Sequence, residues 1–549
     1  MNMIENNLKV SIKAALKEAY GLEVEDNFIV IEIPKDQALG DYSTNVAMRL
    51  AKQLHNNPQV IAHEIITKLM ESDNDLDGAE VAGHGFINFR IKKSKIASVI
   101  NDVLKAGDEY GHNDSGKKLP ILVEYVSANP TGDLHLGHAR GAAWGDAITR
   151  LLNASGYNCL REFYVNDAGV QITKLGESLL ARYLQLFGIE AKLPEDGYHG
   201  QDVADIAQIV KAEQGDKWVK VDDEDARLQW FRKEGIRLEL EKMKKDLDYF
   251  RVHFDSWISE QGLYDSGEVE KAIQKVIDMN LTYEEDGALW FKTTEFGDDK
   301  DRVLRKNDGN YTYLTPDIAN HIDKIKRGYT KLVNLWGADH HGYIARMKAA
   351  LTALGYPKDT LEVDIIQMVR LVEDGKEVKM SKRTGNAITI RELCDDIGVD
   401  AARYFFVARA VDTHLDFDLG LAKKKSNDNP VYYAQYAHAR MCSIIRQAPE
   451  LKHLDVYDML THEKEVALLK QINEFPDMVA DAALTRMPNK VCNYVQKLAQ
   501  QFHSFYNACK VLDPQQPELS NQRLALLEAT KITLKNALDL VGISAPEKM

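Results

Sequence analysis

Pro120-Ile121-Leu122-Val123-Glu124-Tyr125-Val126-Ser127-Ala128-Asn129-Pro130-Thr131-Gly132-Asp133-Leu134-His135-Leu136-Gly137-His138 reads as an apolar strand, a small polar turn and the first turn of a helix. The helix continues as an apolar stripe of Ala142, Ala143, Ala147, Ile148, Leu151 and Leu152 and stops at Gly156. A second strand is expected over Tyr157 to Val165. Strand, helix and strand at this spacing open a nucleotide-binding parallel sheet. At such a junction Gly137 leaves the backbone open to a close ligand. The helix turns its positive end toward phosphate. His135 and His138 share one face of the first turn, where each can donate an N–H to a phosphate oxygen.

Farther along lies Lys379-Met380-Ser381-Lys382-Arg383, with Gly375 before it and Gly385 after it. Flexible lysines suit phosphates that move during reaction, and the glycines are expected to let a loop close and reopen. Either motif alone is a weak signal. Together they describe a grip on ATP from two sides, which points to adenylate chemistry. His135, His138, Lys379 and Lys382 are the expected catalytic groups, with Gly137, Met380 and Ser381 completing the ATP site. Catalysis is expected to come from positioning and charge neutralisation. Mg2+ is expected to accompany ATP on its phosphates, with no structural metal.

The chain has 549 residues, too many for one core. It carries 69 basic and 84 acidic residues, a net charge of −15, so it is no generic nucleic-acid coat, although a local basic strip still serves RNA. None of the five cysteines forms a C-x-x-C pair, and free thiols in a reducing compartment are expected. No apolar run reaches membrane-spanning length, and the acidic start Met1-Asn2-Met3-Ile4-Glu5 is unlike a secretion signal, so a cytoplasmic protein is expected. The patterning divides the chain into an α+β unit over 1–110, an α/β Rossmann-type catalytic domain over 119–385 with a mostly helical insertion at about 171–250, a connecting region over 386–426, and an all-α helical bundle over 427–549.

The two motifs resemble the signature pair of class I aminoacyl-tRNA synthetases. Val123 to Gly132, Tyr164-Val165-Asn166-Asp167-Ala168-Gly169 and Asp428-Asn429-Pro430-Val431-Tyr432-Tyr433 narrow the resemblance to arginyl-tRNA synthetases of bacterial type. It extends down to the closing Ala545-Pro546-Glu547-Lys548-Met549. Leu136 stands where the generic first motif has isoleucine, and Arg383 where the second has serine, a change common in this family. The resemblance implies activation of arginine with ATP, transfer to tRNA, and activation only once tRNA is bound. It implies a monomer whose first domain meets the tRNA elbow, whose connecting region meets the stem, and whose helical bundle binds the anticodon.

Guanidinium recognition calls for planar carboxylates. Tyr313-Leu314-Thr315-Pro316-Asp317 reads as a helix start, Thr315 the cap and Pro316 the first position. Asp317 is then expected to be kept ionised by the helix dipole. By resemblance, Asp317 and Tyr313 line the guanidinium pocket, and Glu260 is the second carboxylate. Ser127 and Asn129 would meet the α-amino and carboxylate ends, oriented by Glu124. His340, past another apolar strand, is a further candidate. Tyr432, Tyr436 and Arg440 offer flat partners to unstacked anticodon bases. Tyrosines at helical spacing equally suit a core, and the sequence leaves both uses open. Lys423-Lys424-Lys425 suits phosphate contact. Whether Asp41-Tyr42-Ser43-Thr44-Asn45 touches RNA is not legible. Two other classes share part of the pattern. A small nucleotidyltransferase has the histidine motif but needs no helical tail, and a catalytically idle RNA-binding relative would be expected to have lost one of the four catalytic positions.

Overall fold

A computed structural model describes residues 3–34, 36–73, 75–378, 387–448 and 450–549. Lys379, Met380, Ser381, Lys382, Arg383 and Gly385 lie outside the described residues.

The central sheet is parallel throughout. Its strands run in the order Leu361–Ile366, Lys331–Gly337, Pro120–Glu124, Asn158–Val165, Ser256–Ser259. Pro120–Glu124 lies in the middle, and the chain winds away from it in both directions. The carboxyl ends of Pro120–Glu124 and Lys331–Gly337 therefore flank the switch point, where ligands bind in sheets of this kind. Helix Leu136–Ala154 returns across the sheet at close quarters. A Cβ on Gly145 would stand 2.3 Å from the Tyr125 ring, and one on Gly141 would stand 3.0 Å from Ile366. Only glycine admits that approach.

The first domain carries an antiparallel sheet in the order Ile31–Glu32, Tyr42–Thr44, Phe86–Ile91, Leu76–Ala82. Helix Met3–Tyr20 packs on helix Pro58–Ser72 and buries Ile4, Leu8, Ile12 and Leu16, and Gly21 follows in the left-handed conformation. Helix Pro58–Ser72 opens with proline and is capped by the Asn57 side chain. Tyr42, Ser43 and Thr44 are buried strand residues, while Asp41 accepts from Ile91 N–H and pairs with Lys470 at 2.5 Å. This stretch therefore holds the first domain to the helical bundle. Tyr110 Oη, donating to Ile472 O at 2.9 Å, strengthens the same junction.

Helices Val170–Gln185, Gln201–Gln214 and Glu224–Tyr249 form the insertion, around Leu175, Leu179, Tyr183, Val203, Ile206 and Phe231. A short antiparallel sheet of Arg302–Arg305, Ala288–Phe291 and Thr282–Glu285 follows. Asp374 and Gly375 both have positive φ and form the two-residue turn of a hairpin joining Val369–Glu373 to Lys376–Glu377. Gly375 thus serves a turn, not the loop hinge expected from sequence. Strand Leu415–Asp418, in the connecting region, pairs in parallel with Val369–Glu373. The bundle then runs through Pro430–Gln447, Glu463–Asn473, Phe475–Thr485, Asn489–Ala508 and Pro517–Leu540. Among the described residues no helix is long and apolar enough to cross a membrane.

In helix Glu224–Tyr249, Glu239 is fully buried, and neither carboxylate oxygen has a hydrogen-bond partner. Burial, reinforced by Asp202, pushes its carboxyl from 4.5 up to about 8. A carboxyl raised on folding binds its proton more tightly in the native state. It therefore costs stability progressively as pH rises from about 4.5 to about 8. Glu239→Gln should raise the melting temperature at pH 8 by a few degrees and change it little near pH 5. Thermal melts of both proteins across that range check this, and an equal shift at every pH would contradict it.

Candidate active site

Two consecutive non-glycine residues with positive φ, Val126 at 67° and Ser127 at 39°, turn the chain off the central strand. For a β-branched residue this conformation is strained and persists only when its surroundings enforce it. Here the Ser127 hydroxyl supplies the restraint. It donates to Glu124 Oε1 at 3.1 Å and accepts from Tyr164 N–H at 3.1 Å. Glu124 in turn pairs with the fully buried Lys324, which lies 3.8 Å from Glu162. Arg327 closes on Glu162 from the other side at 2.7 Å. Burial works against ionisation of Glu124, but Lys324 and its other polar neighbours prevail and hold its carboxyl below the usual range. Asn129 is exposed, and its side-chain N–H donates to Gln171 Oε1 at 2.9 Å.

Asp317 faces the same cluster from helix Leu314–Lys326. The helix starts two residues earlier than the sequence suggests, with Tyr313 at the cap position. Thr315 is no cap, because its hydroxyl donates to Leu304 O at 2.8 Å on a neighbouring strand. Nor does the helix end keep Asp317 ionised. Burial, with Glu124 and Glu260 nearby, pushes its carboxyl up to about 7 against the opposing effects of Tyr343 and Lys324. Tyr343 Oη donates to Asp317 Oδ2 at 2.5 Å. Glu260 is buried at the start of helix Glu260–Asp265 beside Tyr164, and burial raises its carboxyl too. Two carboxylates that resist ionisation, beside a buried Lys324 that is already engaged, suit a cation supplied from outside.

Glu124, Ser127, Asp317 and Glu260 thus meet at the carboxyl edge of the sheet. Tyr313 is 77 % exposed. His340 is exposed on the turn after Lys331–Gly337, with Nε2 3.6 Å from Asp339. Sequence reading missed Tyr343, Tyr164, Lys324 and His321. His321 Nδ1 meets Asp317 O at 2.7 Å and its Nε2 meets the Asn334 side-chain amide at 3.1 Å, while burial lowers its pKa to about 4. A Lys324 in line with Asn320 and Asp317 on one helical face was the available signal.

The two histidines form a reciprocal cap. His135 Nδ1 accepts from Gly137 N–H at 3.2 Å, and His138 Nδ1 accepts from His135 N–H at 3.2 Å. Their rings stack with centroids 3.9 Å apart. A Cβ on Gly137 would stand 3.2 Å from the His135 ring, so glycine here also makes room for the stack. Because each Nδ1 accepts, each proton belongs on Nε2. Burial lowers both pKa values, that of His138 to about 3, where His135 adds to the effect. The pair is a set of two neutral N–H donors at a helix N-terminus.

In the bundle, the Tyr432 and Tyr436 rings stack 6.1 Å apart, nearly coplanar at 9°. Arg440 donates to Tyr436 Oη at 3.1 Å and to Tyr506 Oη at 3.2 Å, and lies over the Tyr506 ring. All three of Tyr432, Tyr436 and Arg440 are half-buried, so they form a ledge and not a core. Lys423 is taken by Glu373 and Asp396, and Lys424 by Asp428.

Three family models match in succession. They are the arginyl tRNA synthetase N terminal domain at 6–91, the class I (R) tRNA synthetase catalytic domain at 99–407, and the DALR anticodon binding domain at 434–549. The chain is 52 % identical over 556 residues to arginine–tRNA ligase 1 of Halalkalibacterium halodurans, covering 100 % of both. It is 53 % identical over 548 residues to arginine–tRNA ligase of Bacillus subtilis, covering 99 % of this chain and 98 % of that one. The arginyl-tRNA synthetase structure from Thermus thermophilus shares the fold, with a TM-score of 0.75 at 24 % identity over 100 % of both chains.

The neutral pair has a spectroscopic consequence. Nitrogen-15 spectra of the histidine rings should show Nε2–H tautomers at both positions. The His138 signals should stay constant from pH 8 down to pH 5, since its proton uptake is centred near 3. An imidazolium at His138 near pH 6 would remove the acceptor for His135 N–H and contradict the assignment.

Proposed function

The chain belongs to the arginyl-tRNA synthetase family, and from that premise we propose how its residues divide the work. The reaction is that of an arginine–tRNA ligase. A carboxylate oxygen of arginine attacks the α-phosphorus of ATP, the bond to the bridging oxygen breaks, and pyrophosphate leaves. A hydroxyl of the terminal tRNA ribose then attacks the arginyl carbonyl, and AMP leaves.

In our reading His135 and His138 give their Nε2–H protons as hydrogen bonds to the phosphates, with no proton transferred. Preorganised donors of this kind stabilise developing charge without reorganising. Gly137 belongs to the same ATP site. Lys379 and Lys382, with Met380 and Ser381, would complete it from the segment outside the described residues, a role resting on sequence alone. Mg2+ would accompany ATP on its phosphates.

Arginine would place its guanidinium between Asp317 and Glu260. The observation that carries this reading is the pair of buried carboxyl groups, both raised, at the switch point of the sheet. Ser127 and Asn129 would receive the α-amino and carboxylate end, with Glu124 holding Ser127 in place. Tyr313 and His340 would contribute from the exposed rim. The domain boundaries read from sequence remain part of this proposal, with the first domain on the tRNA elbow, 386–426 on the stem and 427–549 on the anticodon. The Tyr432–Tyr436–Arg440 ledge would stack anticodon bases. The working unit would be a cytoplasmic monomer that activates arginine only with tRNA bound.

Arginine-dependent exchange of labelled pyrophosphate into ATP should appear with cognate tRNA and be absent without it. Exchange without tRNA would remove the coupling and leave the ligase. The Asp317 carboxyl, near 7 when the site is empty, must lose its proton to meet a guanidinium. Arginine affinity should therefore fall about tenfold per unit as pH drops below about 7 and level off above it. Calorimetric titrations from pH 5.5 to 8 measure this, and Asp317→Asn should lower affinity and abolish the slope. Tyr436→Ala should raise KM for tRNA roughly five- to a hundredfold, the loss of one base stack, with kcat at saturating tRNA little changed.

A further inference from the structure

Helix Glu224–Tyr249 makes two ionic contacts that reach both sides of the histidine loop. Lys242 pairs with Asp133, two residues before His135. One turn on, Asp246 Oδ1 accepts from Arg391 Nε at 3.0 Å and Nη2 at 2.8 Å. Arg391 also donates to Lys245 O at 3.2 Å, and its guanidinium lies 3.9 Å from the centre of the Tyr249 ring. Tyr249 Oη donates to Asp395 at 2.9 Å. Arg391 and Asp395 belong to helix Ile390–Ile397, which is capped by Thr389. That cap touches the loop directly: Ile390 N–H donates to Leu134 O at 2.9 Å, and His135 forms an isolated antiparallel bridge with Thr389. Residues 133–135 are thus clasped between the insertion and the start of Ile390–Ile397.

We propose that Lys242 is a positioning residue for the ATP half-reaction: through Asp133 it sets where the paired imidazoles stand, and the Asp246–Arg391 bond holds the opposite side of the clasp. The inference rests on the role proposed above for His135 and His138. Stability is a poor explanation for the Lys242–Asp133 contact. The side chains are 39 % and 34 % exposed, and exposed pairs contribute little to folding. Geometry is the better one. The pair fixes the residue that leads into the histidine cap, and a misplacement of about 1 Å at a reacting centre costs up to ~10²-fold in rate. The buried Glu239 lies one turn before Lys242, close enough to act on it, yet Asp133 is the carboxylate with which Lys242 forms an ion pair among the described residues.

The test is pyrophosphate exchange with saturating tRNA. Lys242→Met should lower kcat/KM for ATP roughly ten- to a hundredfold while leaving KM for arginine and the melting temperature near their original values. The exchanged pair Lys242→Asp with Asp133→Lys should recover most of the loss suffered by either single variant. Unchanged ATP kinetics in Lys242→Met, or a double variant no better than the singles, would overturn the proposal. Nitrogen-15 ring shifts of His135 and His138 give a second readout independent of turnover. They should move in Lys242→Met, and unmoved shifts would also overturn it. If the unaltered enzyme showed no exchange, the functional reading would fail, and these shifts would still decide whether Lys242 positions the loop.

Discussion

The ion pair between Arg403 and Asp146 anchors the whole arrangement. Both side chains are fully excluded from solvent, and Arg403 Nη2 meets Asp146 Oδ2 at 2.5 Å. The remaining donors of Arg403 go to Phe250 O, Arg251 O and Val541 O at 3.0 to 3.2 Å. Four parts of the chain converge on one guanidinium: the helix behind the histidine motif, the end of the insertion, helix Val399–Val407 and the C-terminal turn. Gly542 completes the fit, since a Cβ there would stand 2.2 Å from Arg403. Breaking a buried pair by removing one partner costs about 3–5 kcal/mol, because the other charge is left stranded. Helix Leu136–Ala154, which supplies Asp146, carries a buried arginine of its own. Arg140 donates to Gln367 O, Thr413 O and Ala410 O, all between 2.8 and 2.9 Å.

That anchoring explains how the site can hold groups in costly states. Two imidazoles stay neutral and stacked, two carboxyl groups are raised, and two residues keep left-handed backbone without glycine. Each state is unfavourable alone and survives only on a rigid frame. The payoff is preorganisation. The histidine donors are already fixed by their backbone hydrogen bonds, and the acidic pocket gains most when a cation enters it.

How much was legible in the sequence depended on the distance over which each signal acts. The β-α-β opening is local: an apolar strand, a glycine-bearing turn and an alanine-rich helix lie within one short segment, and the structure forms them there. The helix start at 313–317 looked equally local and was misread. Thr315 had the right chemistry for a cap, but Leu304 O, on a strand eleven residues back, claimed its hydroxyl. Asp317 was judged by its helix, whereas its proton is governed by burial and by Glu124 and Glu260. Lys324 shares a helical face with Asp317, but its role depends on Glu124 and Glu162, which lie far away along the chain. The use of Asp41 is not legible in the sequence because its partner, Lys470, lies in the distant bundle. Strand Leu415–Asp418 is only four residues long, and its parallel partner is also remote in sequence.

Binding a polyanion on a chain of net charge −15 poses a separate problem. The obvious lysine run does little to solve it, since Lys423 and Lys424 are already neutralised by neighbouring carboxylates. Arg440 differs because its hydrogen-bond partners are the tyrosine hydroxyls of Tyr436 and Tyr506, which carry no opposing charge. In the proposed anticodon role its guanidinium would be open to phosphate while the hydroxyls fix its orientation. Beside it the stacked Tyr432 and Tyr436 rings offer a surface whose attraction for an unpaired base needs no net positive field. An acidic protein can therefore afford a small aromatic ledge with one oriented cation where a broad basic face would be unavailable. In the proposed anticodon role, such a ledge would favour RNA with splayed bases over duplex.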